Sequence, residues 1–404
     1  MKKVLFLTNG VHVQSNGRSI ASYGYCCEFS KYTSLKAISS LPFYVDPIKA
    51  STEKQKSLDL EYVKEKKKSI WNVLTRLKDI LIFKTVGIIE IRKPNTYNAA
   101  VQYIKSNRVD IVIIDHLALA RFFFYLKKRF PKLIYVYNSH NAEAINYYQQ
   151  ITGKNYIVNG TNNSFNSLFD RFKYRYISNA EKRMLQETDY TITISQNDRE
   201  LLSEQYGISP QKILHTRPLT RFERVKTIED VKEFHGKFLI VGSMNWYPNV
   251  RGVIWFIDEI FIDLIKTNPE YKLYIVGRSP TTELKKRCER YADNIILTGS
   301  VDSTAPYFKE CDISIVPVFE GTGIKIKVLE SIERGIPTIC SVFASKDYDD
   351  EGQIAIAKTK EDWIEHIHAI AGSKRIREEY FNKMVKYSAA FFELTEDMKK
   401  LFVD

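Results

Sequence analysis

Lys325, Lys327 and Glu330 stand within a few residues of one another, just behind the pair Gly321 and Gly323. Two ammonium groups and a carboxylate at that spacing suit a phosphorylated ligand that also carries hydroxyls. The lysines would neutralise phosphate, and the carboxylate one turn on would grip sugar oxygens. Gly321-Thr322-Gly323 lets the backbone turn tightly and come close to a ligand. The helix start that follows offers unpaired N–H groups and a positive dipole end, which favour an anion. Together these features of Val316–Ser341 (VPVFEGTGIKIKVLESIERGIPTICS) read as a nucleotide-sugar site. Glycine turns between strand and helix also recur throughout α/β proteins, and the lysines equally suit a solvated helix face.

The elements that must position these residues are legible around them. Asp312–Val318 (DISIVPV) is apolar and β-branched, as a buried parallel strand is. Gly335 stands where a left-handed helix cap belongs. Short apolar runs alternate with helical patterns from end to end, the signature of βαβ units and parallel sheets. Strands are predicted at Val4–Thr8, Ile111–Ile114, Leu133–Asn138 and Tyr190–Ser195, with helices at Tyr97–Ser106, Ala118–Arg129 and Phe169–Glu187. A second series runs through Phe238–Val241, Lys272–Val276, Ile295–Thr298, Ile313–Val318 and Thr338–Cys340. Ligands of open parallel sheets sit at the carboxyl ends of strands, so the loops there are the candidate sites.

Four further loops qualify. Asn9–Arg18 (NGVHVQSNGR) follows the opening strand and offers Gly10, His12, Gly17 and Arg18, but it lacks both GxGxxG and GxxxxGK[ST]. Tyr137–Ala144 (YNSHNAEA) places His140 beside Asn138, Asn141 and Glu143 at a strand end. Phe238–Phe256 (FLIVGSMNWYPNVRGVIWF) closes its strand at Gly242 and Ser243. There Asn249 is expected to cap the helix containing Val253–Ile257, and Trp246 and Tyr247 suit either site walls or core packing. Arg278, in LYIVGR, lies just past another strand and could meet an anion. The DxD at Asp347-Tyr348-Asp349 falls in a polar run and is read as a solvated loop. No other carboxylate or histidine cluster has metal-ligand spacing.

Composition sets the bounds. A chain of 404 residues suggests two domains, and 44% hydrophobic with 27% charged residues is ordinary for a globular protein. The net charge of +12 points to anionic partners. Five scattered cysteines without a CxxC pair argue against a disulfide framework or zinc site. With no secretory signal in the opening residues and no long apolar run, a cytoplasmic location is expected. Glu61–Phe83 is basic, with apolar residues at helical spacing. It suits either an anionic membrane surface, at the inner face of the cell membrane, or packing on its own domain. Nucleic-acid binding would explain the charge, but no recognition element accompanies it.

GSMNWYPNVRGVIWF, LYIVGRSP, ILTGSVDSTAPYF and VPVFEGTGIKIKVLESIERGIPTI resemble, in order, the nucleotide-sugar domain of the GT-B glycosyltransferases. They are closest to a bacterial subgroup of the retaining family four. SHNAEA and AEKRMLQETDYTITISQND resemble parts of its acceptor domain. The resemblance implies two Rossmann-like α/β domains facing a central cleft. The expected boundaries are an acceptor domain over 1–215, a linker over 216–236, a donor domain over 237–375 and a returning helical segment over 376–404. It assigns Glu330 to the ribose hydroxyls, Gly323 to the diphosphate, Lys327 to the phosphate charge and His140 to the vicinity of the donor sugar. Gly17, Gly242, Asn249, Arg278, Gly321, Thr322 and Lys325 complete the expected donor contacts.

The implied activity is retaining, metal-independent transfer from a nucleotide-diphosphate sugar, such as a UDP-sugar, to a glycan, lipid-linked or glycoprotein acceptor. No cofactor beyond the donor is expected. One departure stands out: Thr322 occupies the position of the family's first donor-site glutamate, with Glu320 two positions away. The basic pair that many members carry in the first loop of the donor domain is reduced to Arg251. A non-catalytic partner subunit and a sugar-nucleotide epimerase of the same fold are the competing expectations.

Overall fold

The computed structural model describes residues 1–9, 17–41, 58–65, 94–152, 167–219, 222–321, 323–348, 351–391 and 394–403. The chain divides into two compact units, Met1–Thr220 with Leu394–Asp404, and Arg221–Glu393.

The first unit is built on strands β1 (Lys3–Thr8), β2 (Ser34–Leu41), β3 (Leu60–Lys64), β4 (Ile111–Asp115), β5 (Ile134–Ser139), β6 (Tyr190–Thr193) and β7 (Ile213–His215). They form one sheet in the order β3-β2-β1-β4-β5-β6-β7, every pairing parallel. All five residues of β4 are buried, which is why that run is continuously apolar up to Asp115. Helices Pro94–Ser106, Ala120–Arg129, Glu143–Thr152 and Leu168–Glu187 connect the strands.

The second unit repeats the plan with β8 (Lys237–Val241), β9 (Lys272–Val276), β10 (Ile295–Gly299), β11 (Ile313–Val316), β12 (Thr338–Ser341) and β13 (Ala355–Ala357). Their order is β10-β9-β8-β11-β12-β13, again all parallel. The order reverses between β8 and β11, so the loops leaving those two strands flank a topological switch point. Close packing is built in there. A Cβ on Gly252 would stand 1.6 Å from the Pro317 carbonyl oxygen, and one on Gly277 would stand 1.6 Å from that of Gly242. Only glycine fits at either position.

Segment 222–236 belongs to the second unit: the Phe222 N–H donates to Glu333 and the Lys226 ammonium to the Lys309 carbonyl. Helix Lys374–Phe391 lies in that unit as well, whereas Glu396–Val403 lies in the first, where Thr395 donates to the His215 carbonyl.

One expectation changes and another goes mostly untested. Of the basic segment Glu61–Phe83, the first residues belong to Leu60–Lys64, a parallel edge strand beside β2; its apolar positions at helical spacing lie within 66–83, outside the described residues. The helix carrying Asn249 starts at Tyr247, with Pro248 in its first turn, so Asn249 lies inside the helix and Trp246 takes the capping position. Proline with its fixed φ favours that earlier start.

Candidate donor and histidine sites

In the second unit β8 ends at Val241 and the chain turns at Gly242 and Ser243. The Gly242 N–H donates to the Val276 carbonyl, which keeps the turn tight against β9. Asn249 comes back over this turn from its helix. Its amide nitrogen donates to the Ser243 carbonyl at 3.0 Å, and its Oδ1 accepts from the Lys327 ammonium at 2.5 Å. A Cβ on Gly242 would stand 2.6 Å from Asn249 Nδ2 and 3.0 Å from Lys327 Nζ. The absent side chain is therefore what admits the lysine to the strand end.

Lys327 arrives from the other side of the switch point. After β11 the chain passes Gly321 at φ 119° and Gly323 at φ 71°, left-handed values that favour glycine. It enters helix Ile326–Arg334, which ends at Gly335 with φ 84°. Burial, joined by the charge of Lys325 and opposed by Glu330, brings the Lys327 ammonium down to about 7. One turn on, Glu330 is buried and accepts from the Thr304 hydroxyl at 2.6 Å, with Arg334 at 3.7 Å. Burial pushes its carboxyl up, while Thr304 and Arg334 hold it back. A lysine short of its full charge and a constrained carboxylate thus share one helix face at the switch point.

The remaining nominated residues take varied places. Lys325 is buried, donates to the Gly323 carbonyl at 2.5 Å and lies 4.7 Å from the Phe343 ring centre, so its ammonium braces the glycine turn. Gly321 lies against Trp246, whose ring would be 3.4 Å from an added Cβ. Arg278 is exposed just beyond β9, and its carbonyl accepts from the Met244 N–H. Glu320 and Arg251, two departures from the family pattern, form an ion pair at 2.9 Å, and Arg251 also donates to the Tyr247 hydroxyl. Tyr348, the centre of the DxD, is buried and donates to the Lys325 carbonyl at 2.9 Å. That segment is thus anchored beneath the glycine turn instead of standing free in solvent. Thr322 and Asp349 lie outside the described residues.

In the first unit the ends of β1, β4 and β5 converge on Asp115. Its carboxylate accepts from Thr8 at 2.6 Å, Ser22 at 2.7 Å and Asn138 at 2.8 Å, and it meets His140 Nε2 at 2.6 Å. Burial alone would raise this carboxyl; the His140 charge and these hydrogen bonds outweigh it and hold it at about 2. His140 is buried, so its ring is fixed by a fully engaged carboxylate.

His116, next to Asp115, adopts φ 84°, uncommon for a residue other than glycine. Its Nδ1 accepts from the Ala118 N–H at 3.0 Å and its Nε2 lies 2.8 Å from Glu143. The two imidazoles are 5.9 Å apart. Glu181 closes the arrangement from helix Leu168–Glu187. It accepts from the backbone N–H groups of Glu143 and Ala144 and from the Tyr206 hydroxyl at 2.8 Å, which anchors the start of the helix after His140. Burial lifts its carboxyl to about 8.

Gly10 and His12 lie outside the described residues, as does the side chain of Arg18; Gly17 opens helix Gly17–Phe29. Sequence reasoning passed over Asp115, His116 and Thr304. An Asp-His pair ending an all-apolar strand is the signal that would have found the first two. Thr304 carries no such signal. Among the described residues, no group of three or more His, Cys, Asp or Glu side chains could hold a metal ion. Nor is any described helix long and apolar enough to cross a membrane.

Known proteins share this architecture. A family model described as glycosyl transferases group 1 matches residues 235–372, and one described as glycosyltransferase family 4 matches 81–215. An uncharacterised 44.6 kDa protein in the cps region of Klebsiella pneumoniae is 28% identical over 176 residues, 41% of this chain and 43% of that protein. The matches span less than half the length of the curated relatives, 43% and 41%. Among solved structures, HepE of Anabaena in complex with UDP and glucose has a TM-score of 0.66 at 12% identity, covering 99% of this chain and 98% of that one. TarM has a TM-score of 0.68 at 12% identity, with the same coverage. The two glycosyltransferase models fall one on each doubly wound unit, and the fold, over nearly the whole chain, is that of the GT-B glycosyltransferases.

Proposed function

We propose that the protein transfers a sugar from a nucleotide-diphosphate donor, a UDP-sugar first among the candidates, to a glycan, glycolipid or glycoprotein acceptor. The observation that carries this reading is the meeting of Lys327, Asn249 and Gly242 at the switch point between β8 and β11. As the glycosidic bond breaks, negative charge collects on the leaving diphosphate, and preorganised positive groups lower the barrier. Lys327 supplies that charge, with the amides behind Gly323 adding their dipoles. Glu330, held by Thr304, receives the ribose hydroxyls. In the first unit His140, oriented by Asp115, is the group assigned to the sugar. Neither step calls on a metal. HepE, a fold relative, was solved with UDP and glucose, which supports a uridine donor here. The Klebsiella relative from a cps region supports a place in bacterial surface polysaccharide synthesis. Retention of configuration follows from the resemblance to family four.

The test is to incubate the protein with a panel of nucleotide sugars without acceptor and to follow release of the nucleoside diphosphate. Slow hydrolysis of one donor is expected. Conversion of a donor to its epimer without nucleotide release would assign it to sugar-nucleotide epimerisation instead. Failure to bind or cleave any donor would refute the reading.

A further inference from the structure

Helix Leu168–Glu187 is buried along its second half through Ile177, Ala180, Glu181, Met184 and Leu185. Its first two turns differ sharply. Leu168 is 85% exposed, Phe169 69% and Phe172 50%. At about 100° per residue, Leu168, Phe172, Tyr176 and Phe169 fall on one arc roughly 100° wide. Arg171 and Arg175 border that arc on one side and Lys173 on the other. Asp170 faces away and accepts from the Tyr147 hydroxyl at 3.1 Å, and Tyr174 packs on Tyr148 with ring centres 6.1 Å apart. The helix is thus anchored by one face, Lys173 included, while it presents an apolar stripe with an exposed arginine margin. The Phe172 and Tyr176 rings meet at a 57° tilt with centres 4.5 Å apart, which holds the stripe as one surface.

We propose that this helix end docks on an anionic lipid surface, with Leu168, Phe169 and Phe172 entering the acyl boundary and the exposed Arg171 and Arg175 meeting headgroup phosphates. Charge complementarity selects this occupant. Within 168–176 the exposed Arg171 and Arg175 flank the stripe, Lys173 lies over the Tyr147 ring at 4.6 Å, and the single acid, Asp170, is turned to that same neighbouring helix. An apolar arc with a cationic edge is the pattern of helices that lie in a membrane interface. These residues are not part of the basic sequence run 61–83, and the inference does not depend on the sugar-transfer reading.

The test is flotation of the full chain with phosphatidylcholine vesicles, with and without phosphatidylglycerol. The wild type is expected to bind the anionic vesicles, and less so as salt rises. The double variant Phe169→Ser/Phe172→Ser should lower partitioning on the order of a hundredfold. Arg171→Glu/Arg175→Glu should lower it roughly tenfold or more and abolish the preference for anionic lipid. Melting temperatures should stay at the wild-type value, because these side chains are exposed. No vesicle binding by the wild type would overturn the proposal, as would equal binding by the variants. A fall in oligomeric state in the Phe variants without vesicle binding would assign the stripe to a second copy of the chain and overturn it too.

Discussion

The Lys327 ammonium and the Asn249 side-chain oxygen meet at 2.5 Å, in the space a side chain on Gly242 would crowd. The two residues are 78 apart in sequence and reach the same point from opposite sides of a topological switch. A lysine there loses hydration without gaining a carboxylate within bonding distance, so its proton is loosely held, at about 7. An arriving diphosphate would supply the missing counter-charge.

Proton linkage follows. At pH 8 Lys327 is mostly neutral, and binding of a diphosphate should restore its proton. Calorimetry of UDP binding in buffers of different ionisation enthalpy should report uptake of about one proton per ligand. Affinity should fall as pH rises above about 7. Lys327→Met should show neither effect, and equal uptake in wild type and variant would place the proton elsewhere.

Gly242→Ala tests the packing of the pair. The new methyl would crowd the ends of Asn249 and Lys327, both of which can swing aside. Nucleotide affinity should drop by about tenfold or more while the melting temperature moves little. A large stability loss with unchanged affinity would show that Gly242 serves the fold instead.

Glu330→Ala should chiefly weaken nucleotide binding, by about 2 kcal/mol for a lost charged hydrogen-bond acceptor. Glu330→Gln should lie between it and the wild type. Isothermal titration with UDP separates the three, and identical affinities would remove Glu330 from the site.

Glu181 should mark the first unit's stability against pH. Its carboxyl is raised from 4.5 to about 8 in the folded chain. Between those values the folded state binds more protons than the unfolded state, so stability falls as pH rises. The contribution is complete below 4.5 and lost through about 8. Denaturant melts of Glu181→Gln should show a shallower decline across that window, and parallel curves would contradict the assignment.

Much of this was written in local sequence. The buried strands β4, β5, β8, β9 and β11 were legible because parallel strands covered on both faces read as continuous apolar runs. β2 was not, since Lys36, Ser39 and Ser40 break its pattern although Ser39 and Ser40 are buried. β7 and β13, three residues each, are too short to carry a period. In the candidate donor site Gly323, Lys327 and Glu330 could be named because they share one helix and its entry turn. The Thr304 contact to Glu330 and the Arg251–Glu320 pair depend on segments 26 and 69 residues apart meeting, which no local spacing encodes. His140 was named from its strand end, but Asp115, which holds it, lies 25 residues earlier and was missed.

The most direct test of the donor-site account is Lys327→Ala, measured as turnover of whichever nucleotide sugar the wild type cleaves, beside a thermal melt. The account predicts turnover lower by on the order of a hundredfold or more, as for loss of one preorganised charge-stabilising group, with the melting temperature not lowered. Near-normal turnover by a folded Lys327→Ala protein would contradict it.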